Sequence, residues 1–326
     1  GSIRVERIRN SGANAITIND PYSREFVLLG DIRTSGALLL NLPQVEQIHR
    51  VDSEVDPVMQ AHSLTIKAGS ALNVGYKSNP LKLDVGAGGL TVASAGGIHV
   101  REIAGDLLIN EIKNFALPEA TLVSAEIAVE DGDLIALDNA LIVSEEINFS
   151  ASGDIDLSNT VLTVAGAISL DATNINVLAE NLVFGTIKAS NSLVATALGS
   201  MSGGPVQVGG ETSLQAKSIV LNHSSNDFVG KVNYERSGAS DIALTLFDAN
   251  DLLLGDIDAA TYDADGADNT QLFITAGGGI SQAVDTSIFS ERDLSLVAEE
   301  DITLTQTANW FKDSTINAIA YNFSAV

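Results

Sequence analysis

Pairs of alternating apolar residues recur along this chain and return about eight residues later. Leu64/Ile66 is followed by Leu72/Val74, Leu90/Val92 by Ile98/Val100, and Ile127/Val129 by Ile135/Leu137. Ile147/Phe149 is followed by Ile155/Leu157, Ile168/Leu170 by Ile175/Val177, and Leu294/Leu296 by Ile302/Leu304. Alternation at period two buries one face of a strand and leaves the other in solvent. Small or turn-forming residues separate the paired strands, as in "KAGSA", "SAGG", "EDGD", "SASG", "DATN" and "VAEE". An alanine follows the second apolar residue at Ala68, Ala151, Ala172 and Ala298, as a tight inner corner requires. The units that begin at Ile127, Ile147 and Ile168 are 20 and 21 residues apart. A unit that short cannot bury its own apolar face, so it must stack on copies of itself.

A longer phrase carries the same message. Residues 11–32 read "SGANAITINDPYSREFVLLGDI" and residues 237–257 read "SGASDIALTLFDANDLLLGDI". The closing words end at Ile32, Ile112, Ile187 and Ile257, at spacings of 80, 75 and 70 residues, each three or four coils. These periods predict an all-β chain folded as a right-handed parallel β-helix (a β-solenoid) of roughly 14 coils with short side-loop excursions. A string of β-sandwich domains also alternates, but it calls for an aromatic core residue in each domain of about 100 residues. Only 5% of this chain is aromatic. Helical periodicity is confined to Leu42–His49 and Pro118–Ala125, both short and poorly capped. Residues 41–62, with two prolines and several charges, and residues 258–271 read as excursions from the column. No stretch reads as a linker, so residues 3–326 are expected to form one β-helix segment, a monomeric piece of a larger chain. Gly1-Ser2 reads as a tag-cleavage scar.

Charge narrows the partners. The formal charge is −25, from 42 acidic and 17 basic residues, which repels nucleic acid and anionic headgroups. No apolar run of about 18 residues is present, so membrane insertion is not expected. The chain has no cysteine, which excludes disulfides, thiolate metal sites and a thiol nucleophile, but not secretion.

Motifs for covalent chemistry are sparse. Glycosidic hydrolysis needs two carboxyl groups at a set separation, and the chain has no Asp-Asp pair. His99, between Ile98 and Val100, reads as a surface-facing strand residue, while His49, His62 and His223 lack metal-ligand spacing. "VGAGGLTV" lacks the third glycine of a dinucleotide loop, and "GSMSGG" has Met201 where a nucleophile elbow needs serine. The arginines cluster towards the N-terminus. The expectation is a protein that is not an enzyme. One loop, "YDADGADN", gathers Asp263, Asp265, Asp268 and Asn269 around a glycine beside Tyr262. Those oxygens suit calcium, with the three aspartates as ligands, but the loop lacks the EF-hand pattern and reads first as a solvated acidic turn. No other cofactor is expected. As sugar platforms the chain offers Tyr22, Tyr76, Tyr234, Tyr262 and Trp310, each also readable as packing, with Trp310-Phe311 a candidate to close the C-terminal end of the column.

Three stretches carry a family resemblance: "NDFVGKVNYERSGASDIALTLFDANDLLLGDI" (226–257), "LFITAGGGISQ" (272–282) and "DLSLVAEEDITLTQ" (293–306). In these the chain resembles the large exoproteins of filamentous-haemagglutinin type, adhesins secreted by bacteria through the two-partner route. The match is good over 212–306 and looser over 11–190, and no secretion-domain signature is visible. The resemblance implies a secreted, bacterial cell-surface segment that presents a surface to matrix polysaccharide, other cells or a host, with roles in cell adhesion and biofilm. On that reading Tyr262, Asp263, Asp265, Asp268 and Asn269 are the ligand-contacting candidates. A polysaccharide-active β-helix enzyme (lyase or hydrolase) and a purely structural adhesin shaft are the alternatives.

Overall fold

The computed structural model describes residues 2–51, 56–114, 124–238, 242–259, 271–291, 293–311 and 315–325. Every regular element among them is a strand. The chain divides into two compact units, Gly1–Ala167 and Ile168–Val326. Each is a right-handed parallel β-helix, and together they hold about 13 turns.

In the first unit, residues one turn apart pair in parallel register and build continuous apolar rows. One row runs Ile18, Leu40, Ile66, Val92, Ile112, Ile142, Leu162. A second runs Ile3, Val27, Ile48, Val74, Ile98, Ala125, Ile147. From Val27 to Ile147 every member of the second row is buried. Each large aliphatic side chain removed from water contributes roughly 1.5–3 kcal/mol, and the rows repeat that gain at every turn. The second unit is built alike, with rows such as Ala195, Leu214, Tyr234, Ile257, Ile288 and Ile219, Leu244, Leu272, Leu294, Ile316.

The recurring closing phrase is a corner. Leu29 and Ile32 are three residues apart and both buried, although strict alternation would place them on opposite faces. Ile109/Ile112, Phe184/Ile187 and Leu254/Ile257 repeat the arrangement. The backbone bends at the two residues between, which lets one strand, Phe26–Thr34, pair with both Gln47–Arg50 and Met59–Ala68 of the next turn. Turns approach closely there: a Cβ on Gly30 would lie 2.0 Å from the Glu6 carbonyl oxygen. Glycine at such corners keeps the phrase recognisable over 225 residues.

Four expectations change. Leu134 and Ala136, not Ile135 and Leu137, face the core. All four are apolar, so alternation alone does not fix the phase, and the Asp131-Gly132-Asp133 turn delivers Leu134 inward. Leu72 lies outside on a corner, with Ala71 and Val74 buried beside it. Within the supposed excursion 41–62, Gln47–Arg50 and the start of Met59–Ala68 are column strands. Pro43 and Pro57 lie outside those strands rather than breaking them, and residues 52–55 lie outside the described set. Trp310–Phe311 does not close the column, because Ile316–Ile319 and Phe323–Ala325 follow it and pair with the preceding turn. Residues 260–270, most of the second supposed excursion, also lie outside the described set.

Candidate functional site

Because Ile48, Val74, Ile98, Ala125 and Ile147 point inward, their sequence neighbours point outward and stack from turn to turn. Gln47 stands over Asn73 and Asn73 over Gly97. Following the same register by one residue aligns His49, Gly75 and His99, and His99 stands over Glu126, which stands over Asn148. Residues far apart in sequence thereby form one outward row.

Gly75 lets the chain step out of this row. Its φ is +74°, and a Cβ there would meet the His99 carbonyl oxygen at 2.2 Å. The turn that follows is closed by the Tyr76 amide on the Asn79 carbonyl (3.2 Å) and the Asn79 amide on the Tyr76 carbonyl (2.9 Å). It lays the Tyr76 ring over His49, with centroids 4.3 Å apart and planes 29° from parallel. The phenol donates to Gln47 Oε1 at 2.9 Å and lies 3.2 Å from His49 Nε2. Burial raises the phenol's pKa, so it stays a neutral donor. Arg50 steadies the turn by donating from Nε to Asn79 Oδ1 at 2.9 Å. Arg50 and Lys82 both pair with Asp56. Lys82 and Arg50 hold the Asp56 carboxyl below its ordinary range.

Along the same face, His99 Nδ1 lies 3.2 Å from Glu126 Oε2, and Lys77 Nζ donates to Glu126 Oε1 at 2.8 Å. That hydrogen bond with Glu126 raises the Lys77 pKa. The His99 ring folds over Gly97, where a Cβ would come within 2.8 Å of its Nε2. The face thus combines an aromatic–imidazole stack, an amide, a carboxylate and an ammonium. Such a set suits a sugar, whose C–H face packs on rings while its hydroxyls meet polar groups.

The residues singled out from sequence fare differently. Tyr262, Asp263, Asp265, Asp268 and Asn269 lie outside the described residues. Tyr234 is a core residue, Tyr22 is exposed, and Trp310 packs outward on Phe289 with centroids 4.3 Å apart. His223 accepts the Ser225 amide within its own turn. His99 does face outward, as its place between Ile98 and Val100 implied. Tyr76, named as a sugar platform from the sequence, does lie on an outward face, but its assembly with Gln47, His49, His99 and Glu126 was missed. A further sequence signal is an Ile-His step at Ile48-His49 and Ile98-His99, two turns apart. Among the described residues, no group of three or more His, Asp or Glu is placed to hold a metal ion. Nor is any helix long and apolar enough to cross a membrane.

Among the described residues, Glu102 and Asp248 are carboxyls with no solvent exposure. Glu102 accepts the Val85 amide on both oxygens, at 3.2 and 3.1 Å, and burial raises its pKa to about 7. Asp248, in the second unit, accepts the Asn250 amide at 3.1 Å and is raised by burial to about 6.

A family model described as repeats of unknown function (DUF5649) matches residues 172–235 and 239–317. Both matches lie in the second unit, and each contains one copy of the closing phrase, at Ile187 and Ile257. No curated protein and no solved structure matches the chain.

Proposed function

We propose that this chain is a non-catalytic segment of a secreted bacterial surface adhesin, similar in repeat style to filamentous haemagglutinins, and that it binds polysaccharide or a cell-surface glycan. The observation that carries the proposal is the stacked Tyr76–His49 pair with Gln47, His99 and Glu126 beside it on one outward face. A column of stacked turns holds such a face rigidly, which lowers the ordering cost of binding a flexible glycan. Single-site affinity is expected to be weak and to be multiplied by many copies on one cell.

Tyr76→Ala tests this. It removes the platform but no core side chain, so the β spectrum and denaturation midpoint are expected to stay close to those of the parent. Glycan-array or calorimetric binding should fall by about tenfold or more, in line with the loss of one stacking group and its hydrogen bond. Unchanged binding by Tyr76→Ala would move the site elsewhere on the chain.

One observation favours the alternative of a polysaccharide-active enzyme. An imidazole oriented by a carboxylate, as His99 is by Glu126, is the usual form of a general base. Release of new reducing ends or unsaturated products from a bound polysaccharide, abolished in His99→Ala, would replace the adhesin reading with that one.

A further inference from the structure

Basic charge is unevenly placed. The first 50 residues hold six arginines against five carboxylates, whereas the other 276 hold 11 basic and 37 acidic residues. Three of those arginines meet at one point. Strand Ile3–Asn10 lies on Phe26–Thr34 so that Arg7 stands over Asp31, Arg9 over Arg33 and Asn10 over Thr34. Arg7 Nε, Arg9 Nη2 and Arg33 Nε lie 4.0, 3.0 and 2.8 Å from the Asp31 carboxylate. Burial works against ionising Asp31, but the bonds from Arg33 and Arg9 outweigh it and hold the carboxyl below its ordinary range. The Asp31 side chain is 7% exposed, while those of Arg7, Arg9 and Arg33 are 59%, 60% and 46% exposed. A buried anchor thus holds two guanidinium groups by hydrogen bonds, with a third at ion-pair distance, and neutralises one charge of the three.

A groove of about 440 Å³ opens beside them, lined by Asn10, Ser11, Arg33, Ser35, Gln60 and His62, among others. Asp84, also on its wall, is occupied by the Gln60 amide at 2.6 Å. The volume falls in the ordinary range of ligand sites, roughly 300–1,000 Å³. Guanidinium is a planar fork that pairs with a carboxylate through two parallel bonds, and the surrounding hydroxyl, amide and imidazole groups match sugar hydroxyls. The rest of the chain is strongly acidic, so a dense polyanion would gain at this patch and lose everywhere else. A ligand with isolated carboxylates on a neutral backbone avoids that loss.

We infer that the groove lined by Arg33, with Arg9 the register partner of Arg33 one turn away, is a binding site for a uronic-acid residue within an otherwise neutral glycan. The site is separate from the Tyr76 face and stands whether or not that face binds.

The test is calorimetry of the full chain with a tetrasaccharide bearing one glucuronate among neutral hexoses, and with its carboxyl-reduced counterpart. Reduction of the carboxyl should weaken binding at least tenfold, about 1.4 kcal/mol. Raised ionic strength should weaken only the acidic form. The Arg9→Gln/Arg33→Gln double variant should lose the same factor with an unchanged β spectrum. Arg33→Lys, which leaves Asp31 a cationic partner but removes the fork, should lose several-fold. Equal binding of both tetrasaccharides, tighter binding of a fully sulfated oligosaccharide, or no binding of either would overturn the inference. So would a salt-sensitive dimer in sedimentation that Arg9→Gln/Arg33→Gln abolishes, since the patch would then dock the acidic face of a second copy.

Discussion

Ile147→Asp is expected to destabilise the first unit by about 5 kcal/mol or more, while Asn148→Asp changes it by less than about 0.5 kcal/mol. Ile147 is fully buried and sits in the row that includes Ala125, Ile98 and Val74. Replacing it removes an apolar side chain and puts an unpaired carboxylate where nothing solvates it. The penalty is not confined to one turn, because each inward residue is the packing surface for the turn beside it. Asn148 is one residue along and faces out, so a carboxylate there stays in water. Leu170 and Ser169 offer the same contrast in the second unit. Leu170 is buried opposite Ile187, whereas Ser169 faces out and its Oγ accepts the Thr186 amide at 3.1 Å, a role an aspartate oxygen also fills. Urea midpoints of the four variants check this. Equal effects at inward and outward members of a pair would mean the strand phase is inverted.

Glu102 should make the first unit less stable as the solution becomes more basic. Its pKa rises from 4.5 to about 7 on folding because burial penalises the charged form. Below pH 4.5 the carboxyl is neutral in both states and costs nothing electrostatic. Between 4.5 and 7 the unfolded chain ionises while the folded chain holds its proton, so stability falls with rising pH. Above 7 the fall levels off, at a total of about 3 kcal/mol from this group. Asp248 acts in the same direction in the second unit, between 3.8 and about 6. General repulsion in a chain of charge −25 also grows with pH, so the informative quantity is the difference from Glu102→Gln. That variant retains an acceptor for the Val85 amide and should be more stable than the parent at pH 8 by about 2 kcal/mol, with no difference in slope below pH 4.5. Parallel pH profiles for parent and variant would show that Glu102 is not held neutral.

Parts of this architecture were open to reading along the chain because the apolar residues alternate with polar ones. In "EINFS" the inward set is apolar and the outward set polar, so Ile147 and Phe149 declare their face. In "LIAL" both sets are apolar, and only the preceding turn decides that Leu134 and Ala136 point in. Gln47–Arg50 was hidden for the opposite reason. Its two outward polar residues and the prolines on either side resemble a loop, although Ile48 is a core residue. The candidate site was harder still. Reading along a chain finds local clusters, which is why the acidic loop at 262–269 drew attention. His49, Tyr76, His99 and Glu126 are 23 to 27 residues apart in sequence, and become neighbours only once each turn is laid on the last. The arginines at 7, 9 and 33 follow the same rule: their clustering near the N-terminus was visible, and their convergence on Asp31 needed the register.

That register, which sets the outward row of the candidate site, is open to one direct measurement. The chain has no cysteine, so introduced pairs report without background. His99 and Glu126 are parallel neighbours on adjacent turns, a separation of about 5 Å that a disulfide spans. His99 and Asn148 share the row but are two turns apart, about 10 Å, which a disulfide does not span. Under mild oxidation, His99→Cys/Glu126→Cys should close a disulfide rapidly and nearly completely, while His99→Cys/Asn148→Cys stays reduced. A disulfide in the second pair and none in the first would contradict the turn-on-turn register, and with it the assembly of the Tyr76 face.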